Sequence, residues 1–445
     1  MKKRILLVVL SFLVVSISCK HDDPYNTPNY DNYGDKTQEL IRLVENNPEI
    51  KLLLIKSINQ AKLVNPDKNT NPAQTLYDYY QFVTWAETCM PWSILPKTPY
   101  ASLYDKIDQS LNYFYFINDQ PLTELDGQGL YNNSIQYVKP YSDWLVSFNK
   151  AWGMYLDKPE SWNEEYYQLA FTDAKFGLSA GWYEDPSHWK SFNQFFSRYL
   201  KSPDQRPVAF PDDSTIVTSP ADAVPQGEWQ IDASSNIVQK NGVPIKSGTL
   251  TSIVKLIGED SSYKNEFANG KMTHTFLDVQ DYHRFHFPVS GTVKEIRNIA
   301  EQDAVGGLIT WDAAIQRYMF DPTVPGWQSI ETRGCVIIET KDFGLVALLP
   351  IGMSQICSVK FEENIHIGTH VNKGDMLGCF LFGGSDIVML FQQKAGFVME
   401  TAKELNNDQT YQHLLMGEKY GVLKGFPDYR TNCIKEFRSS IKKID

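Results

Sequence analysis

The sequence predicts an α+β fold, a helical N-terminal domain followed by a β-rich C-terminal domain, and three observations carry that expectation. Between Thr37 and about Arg198 apolar residues recur at three- and four-residue spacing. From about Ile216 onward Gly and Pro punctuate short β-branched runs, which is strand patterning. The 445-residue chain is 42% hydrophobic with 24 Phe, 24 Tyr and 10 Trp, enough apolar bulk for the cores of two or three domains. With 21% charged residues it is neither disordered nor of low complexity.

In chain order, Lys2, Lys3 and Arg4 precede the apolar run Ile5 to Ile17, too short to span a bilayer but suited to a secretory signal over residues 1–18. The run ends Ser16-Ile17-Ser18-Cys19, which resembles a bacterial lipobox. That resemblance implies lipidation of Cys19 and an exported lipoprotein held at a cell-envelope membrane. Residues 19–36, with Asp22, Asp23, Pro24, Asn26, Pro28, Asn29 and Gly34, read as a flexible tether.

The helical domain is expected over 37–190. Asn47-Pro48-Glu49 supplies a cap, a first-turn proline and an acid ahead of the stripe Leu53, Leu54, Ser57, Ile58 and Ala61. Asn71-Pro72 repeats the start signal before Leu76, Tyr79, Tyr80 and Val83. Aromatic-rich helical patterns follow through Tyr104 to Phe116 and Tyr141 to Leu156.

The second domain is expected over 191–445, with strands at Ile216 to Thr218, Phe287 to Ile296, Gly334 to Glu339, Leu345 to Pro350, Val371 to Phe382 and Ile387 to Phe391. Val371 to Gly378 resembles the barrel-sandwich modules of lipoyl and biotinyl carriers, although no Lys sits in an exposed hairpin of the carrier kind. After Gln392, Ala395 to Leu405 and His413 to Tyr420 return to helical spacing.

The net charge of −11 disfavours phosphate backbones, so nucleic acid is not an expected partner. Past the signal no run is long enough for a transmembrane helix. Cysteines 89, 335, 357, 379 and 433 form no CxxC pair, which argues against a disulfide framework or zinc ribbon and for buried small apolar residues. His283 with His286, and His366 with His370, lack a third ligand at metal-site spacing, so no metal is expected.

Three separated segments together resemble the phosphatidylserine decarboxylase family. The first is Phe192-Asn193-Gln194-Phe195-Phe196-Ser197-Arg198, then Arg206-Pro207, then Val217 to Asp222, with Ala223 where the family has Gly. The second is Asp281-Tyr282-His283-Arg284-Phe285-His286-Phe287-Pro288. The third runs Lys373-Gly374-Asp375 through Phe382-Gly383-Gly384-Ser385, with Asp386 where Thr or Ser is commoner. The resemblance implies that the chain cuts itself between Gly384 and Ser385 and converts Ser385 into a pyruvoyl cofactor, with no external cofactor, and makes a homodimer plausible.

The residue types suit that chemistry. A glycine carbonyl before Ser385 leaves room for the hydroxyl to approach, and a strained turn there can drive an N-to-O acyl shift. A serine needs a base, and an imidazole held by a carboxylate is the usual device, which assigns Ser385, His286 and Asp222. For protonating the carbanion left by decarboxylation His286 is the first candidate and His283 the second, with substrate binding or packing as the other roles open to His283. Residues three apart in an extended segment face opposite ways, so both rings serve one site only if the backbone bends. Asp386 places a negative charge beside the new N-terminus and is expected to slow processing.

Within the family, Glu331-Thr332-Arg333, Pro350-Ile351-Gly352-Met353 and the aromatic stretch Trp182 to Phe196 look more like the branch with an extra helical domain that includes tryptophan decarboxylases. This implies a free aromatic amino acid as substrate, with phosphatidylserine, and an unprocessed binding protein, as alternatives.

Overall fold

The structure, a computed structural model, describes residues 30–89, 109–126, 133–238, 244–245, 248–249, 252–300, 309–319, 326–352, 358–381, 385–401 and 411–425. The signal 1–18, Cys19, most of the tether and Gly384 lie outside the described residues.

The N-terminal half is helical. α1 (Asp35–Asn46) buries Leu40, Ile41 and Val44, and α2 (Pro48–Val64) buries Ile50, Leu53, Leu54, Ser57, Ile58 and Ala61, one stripe each. Asn47 does not cap α2; its side-chain amide donates to the Leu43 carbonyl and closes α1. Asn71-Pro72 starts no helix. Asn71 donates to the Asn65 carbonyl and accepts from the Tyr113 hydroxyl, and α3 (Leu76–Ala86) begins at Thr75, whose side chain accepts from the Asp78 amide. α4 (Gln109–Asn118), α5 (Tyr141–Leu156), α6 (Glu164–Thr172) and the short α7 (Phe192–Phe196), capped by Ser191, follow among the described residues.

The C-terminal half is a set of antiparallel sheets. Its strands are β1 (Ile216–Thr218), β2 (Val224–Gln230), β3 (Pro244–Ile245), β4 (Gly248–Thr249), β5 (Lys271–Leu277), β6 (Arg284–His286), β7 (Gly291–Ile299), β8 (Thr310–Asp312) and β9 (Arg317–Met319). There follow β10 (Thr332–Thr340), β11 (Gly344–Gly352), β12 (Val359–Phe361), β13 (His370–Val371), β14 (Met376–Phe380), β15 (Ser385–Phe391), β16 (Phe397–Met399) and β17 (Lys419–Leu423). A short helix, α8 (Ile253–Ile257), lies between β4 and β5. The large sheet has the order β13-β7-β10-β11-β15-β5-β2, flanked by the three-stranded sheets β1-β17-β16 and β12-β14-β6.

Both faces of the large sheet are covered. Ile387, Met389 and Phe391 of β15 join one core with Val336, Ile338, Val346 and Leu348, while Val388 and Leu390 join another with Cys335, Ile337, Ala347 and Leu349. The period of two is explicit here, and it puts Ser385 and Asp386 on opposite faces.

One expectation about the sheets is corrected. The tail is not helical where described: β17 pairs with β1 on one side and with β16 on the other, and Phe397 and Tyr420 pack into the sheet core. The region of Val371 to Gly378 lies in open sheets, so no barrel closes around it among the described residues. The β8–β9 hairpin, although late in sequence, sends Ile309 and Tyr318 into the core of the helical half, where the Tyr318 hydroxyl accepts from Asn65 and donates to the Thr70 carbonyl.

Candidate active site

Ser385 is the first residue of β15, paired with Gly352 of β11 and Leu277 of β5, and it is fully buried. Its hydroxyl lies 3.1 Å from Nδ1 of His283. The other ring nitrogen of His283, Nε2, is 3.0 Å from the Asp278 carbonyl oxygen. A carbonyl can only accept, so Nε2 carries the hydrogen and Nδ1 presents a lone pair to the serine hydroxyl. Phe196 stacks on the ring at 3.8 Å between centroids and fixes its plane. Burial, reinforced by the nearby Arg198 charge, lowers the His283 pKa to about 3, so the ring is a neutral base at ordinary pH.

Arg198 sets this geometry from behind. Its guanidinium is buried, lies 4.3 Å from the centroid of the Tyr183 ring, and donates to the Gln280 and Asp281 carbonyls at 2.8 and 3.0 Å. Those bonds hold the turn from Asp278 to Tyr282, whose Asp278 carbonyl fixes the imidazole. Phe196 and Arg198 thus act through His283, a link that motif spacing alone could not show.

His286 sits in β6 and takes different partners. Its Nδ1 donates to the Gly374 carbonyl at 2.8 Å, and its Nε2 accepts from the Tyr282 hydroxyl at 3.2 Å. Burial lowers its pKa to about 4, against the opposing pull of the Gly374 carbonyl and Asp222. The Gly374 turn, at φ +89°, is a conformation glycine adopts freely.

Asp222 is not hydrogen-bonded to an imidazole. Its carboxylate takes Arg206 in a two-pronged pair, the shortest contact 2.6 Å, both side chains being buried, and also accepts the Met416 amide at 2.8 Å. The Arg206 guanidinium in turn lies 4.5 Å from the centroid of the Trp182 ring. The expected Ser385–His286–Asp222 relay is therefore not hydrogen-bonded together; the structure joins Ser385 to His283 and Asp222 to Arg206. Ala223, in place of Gly, exchanges backbone hydrogen bonds with Leu414 and is accommodated.

The aromatic stretch suggesting an aromatic substrate is consumed in packing: Trp189, Phe192, Phe195 and Phe196 are buried in the core, and Trp182 covers Arg206. Arg333 spends its donors on the Lys255, Leu256, Ser329 and Glu331 carbonyls. Cys89, Cys335 and Cys379 are buried. Among the described residues no three His, Cys, Asp or Glu side chains gather as a metal site.

The ensemble can move a proton off Ser385 onto a neutral ring in a dry setting, the requirement for making that serine a nucleophile. Against known proteins, the family model described as phosphatidylserine decarboxylase matches residues 192–422. Phosphatidylserine decarboxylase proenzyme 2 of Oryza sativa is 32% identical over 57% of this chain and 37% of its own length. Proenzyme 3 of Schizosaccharomyces pombe is 33% identical over 62% of this chain and 26% of its own. The proenzyme of Alcanivorax borkumensis is 33% identical over 50% of this chain and 76% of its own. The chain thus spans well under half the length of the first two relatives.

Proposed function

Because the chain belongs to the phosphatidylserine decarboxylase family, we propose that it is a self-processing, pyruvoyl-dependent carboxy-lyase cut between Gly384 and Ser385. The observation that carries this reading is the Ser385 hydroxyl 3.1 Å from the lone pair of a neutral, buried His283. His283 Nδ1 takes the hydroxyl proton as Oγ attacks the Gly384 carbonyl, and returns it to the amine nitrogen of residue 385 as the peptide becomes an ester. Loss of the proton on the Ser385 Cα expels the Gly384 carboxylate and leaves dehydroalanine. Tautomerisation, uptake of water and release of ammonia complete the pyruvoyl group. That group, once in place, supplies the electron sink for departure of a substrate carboxylate as CO2. His283 remains beside position 385 to carry protons, while His286 is held by Gly374 and Tyr282.

For the substrate we propose phosphatidylserine, yielding phosphatidylethanolamine. The names of the relatives support it, and the aromatic residues that favoured tryptophan are occupied in packing. The sequence Ser16-Ile17-Ser18-Cys19 after an apolar run supports export and a lipid anchor at Cys19, which would keep the site beside a bilayer. No helix of the described residues is long and apolar enough to cross one.

Intact-mass measurement of wild type and Ser385→Ala tests the processing; wild type should yield chains ending at 384 and beginning at 385, and the variant should stay whole. Processed protein is then given phosphatidylserine vesicles or soluble tryptophan. Ethanolamine lipid from vesicles supports the proposed substrate, CO2 from tryptophan alone replaces it, and an uncut wild type removes the enzyme altogether. A mature N-terminal peptide starting at lipidated Cys19 would support the anchor, and an unmodified one would remove it.

A further inference from the structure

On the face of β15 opposite Ser385 lies a buried polar cluster that the proposed chemistry leaves unused. The Asp386 carboxylate is fully buried. It stands 3.0 Å from Nδ1 of His274, accepts Gln328 Nε2 at 2.9 Å, and accepts the Ile387 amide at 3.0 Å. Gln328 is itself fixed, its side-chain oxygen accepting the Gly326 amide at 2.8 Å. His274 is fully buried, stacks on Trp229 at 5.2 Å, and its Nε2 has no hydrogen-bond partner. Around this cluster the face is apolar, with Val388, Leu390, Leu349 and Ile351.

Packing alone does not explain such a group. A buried carboxylate and an imidazole with an orphan nitrogen cost more than a well-fitted aliphatic pair of similar volume. The cluster joins residue 386 to β5 through His274 and to the turn Trp327–Ile330 through Gln328, so it fixes one point of β15 from two separate elements. That point is the residue following the proposed cut. Scission makes residue 385 a chain terminus, and a strand end released from its preceding residue frays unless something holds it.

We infer that Asp386, His274 and Gln328 form a positioning clamp that keeps the first residues of β15, and with them the amide joining 385 to 386, in register after the chain is cut. The inference rests on the self-processing proposed above. It also reverses the expectation for Asp386: its charge is taken up by three donors on the far face of the sheet rather than directed at the new terminus.

Wild type, His274→Ala and Gln328→Leu are compared by intact mass, by kcat and KM on processed protein, and by amide hydrogen exchange along β15. In cut His274→Ala the amides of Asp386 to Val388 should lose about tenfold in protection while Leu390 and Phe391 keep theirs. In the same protein kcat should fall about tenfold with KM within about twofold. In uncut Ser385→Ala carrying His274→Ala the protection loss should be smaller, since the strand is not a chain terminus there. Gln328→Leu should act in the same direction and more weakly, and it carries the test if His274→Ala does not fold. Cut variants with wild-type kcat and wild-type protection overturn the clamp while leaving the proposed enzyme standing. A wild type that never cuts overturns both.

Discussion

The two faces of β15 each hold a histidine beside consecutive residues, and the difference lies in what each ring donates to. His283 gives its hydrogen to a backbone carbonyl and keeps a free lone pair for the Ser385 hydroxyl. His274 faces a carboxylate through Nδ1 and leaves its other nitrogen without a partner in an apolar wall. A carbonyl partner fixes a ring as a base for something else, whereas a carboxylate partner ties it into a fixed pair. One strand thus carries a reactive face and a holding face, separated only by the alternation of side chains.

The sharpest way to break this contrast is Ser385→Ala, which should abolish scission entirely, seen as a single intact mass after prolonged incubation. Next comes His283→Ala, which removes the base and should slow scission by about 10²–10⁴-fold. The same change at His286, which does not touch the serine, should cost markedly less when band intensities are followed over time. If His286→Ala proves the more damaging, the base is misassigned and the relay expected from sequence is restored.

Asp222→Asn should act on stability, because it leaves the buried Arg206 charge uncompensated; a loss of about 3–5 kcal/mol by urea unfolding is expected. A loss of scission rate with unchanged stability would instead place Asp222 in the chemistry. Titration gives a smaller effect. With folded pKa values of about 3 and about 4 for His283 and His286, both below the ordinary value, the unfolded chain binds the extra protons. Stability should be independent of these rings above about pH 6.5 and fall below it by about 1.4 kcal/mol per pH unit per ring until the folded pKa values are reached. Flat stability from pH 7 to 5, measured by denaturant melts, would contradict the burial of both. The smallest change is Phe196→Leu, which removes the stack on His283 and should slow scission less than about tenfold, in line with the ~1 kcal/mol of such contacts.

The sequence by itself determined the division into helices and then strands, since apolar spacing reports which face of an element is buried, and it determined the family, since three motifs in order name Ser385, His283, His286 and Asp222. Isolated start signals misled: Asn47 and Asn71 carry the residue type of a cap, but each spends its amide on a nearby carbonyl. Tail residues with helical spacing became β16 and β17 because β17 pairs with β1, far back in the sequence, and β16 then pairs with β17. Only the tertiary structure decided which imidazole meets the serine. His283 and His286 are three residues apart and chemically identical, and the choice depends on Arg198 and Phe196, about ninety positions earlier, and on the Asp278 carbonyl. Hydrogen-bond partners of that kind are set by chain segments meeting in space, which local residue patterns do not encode.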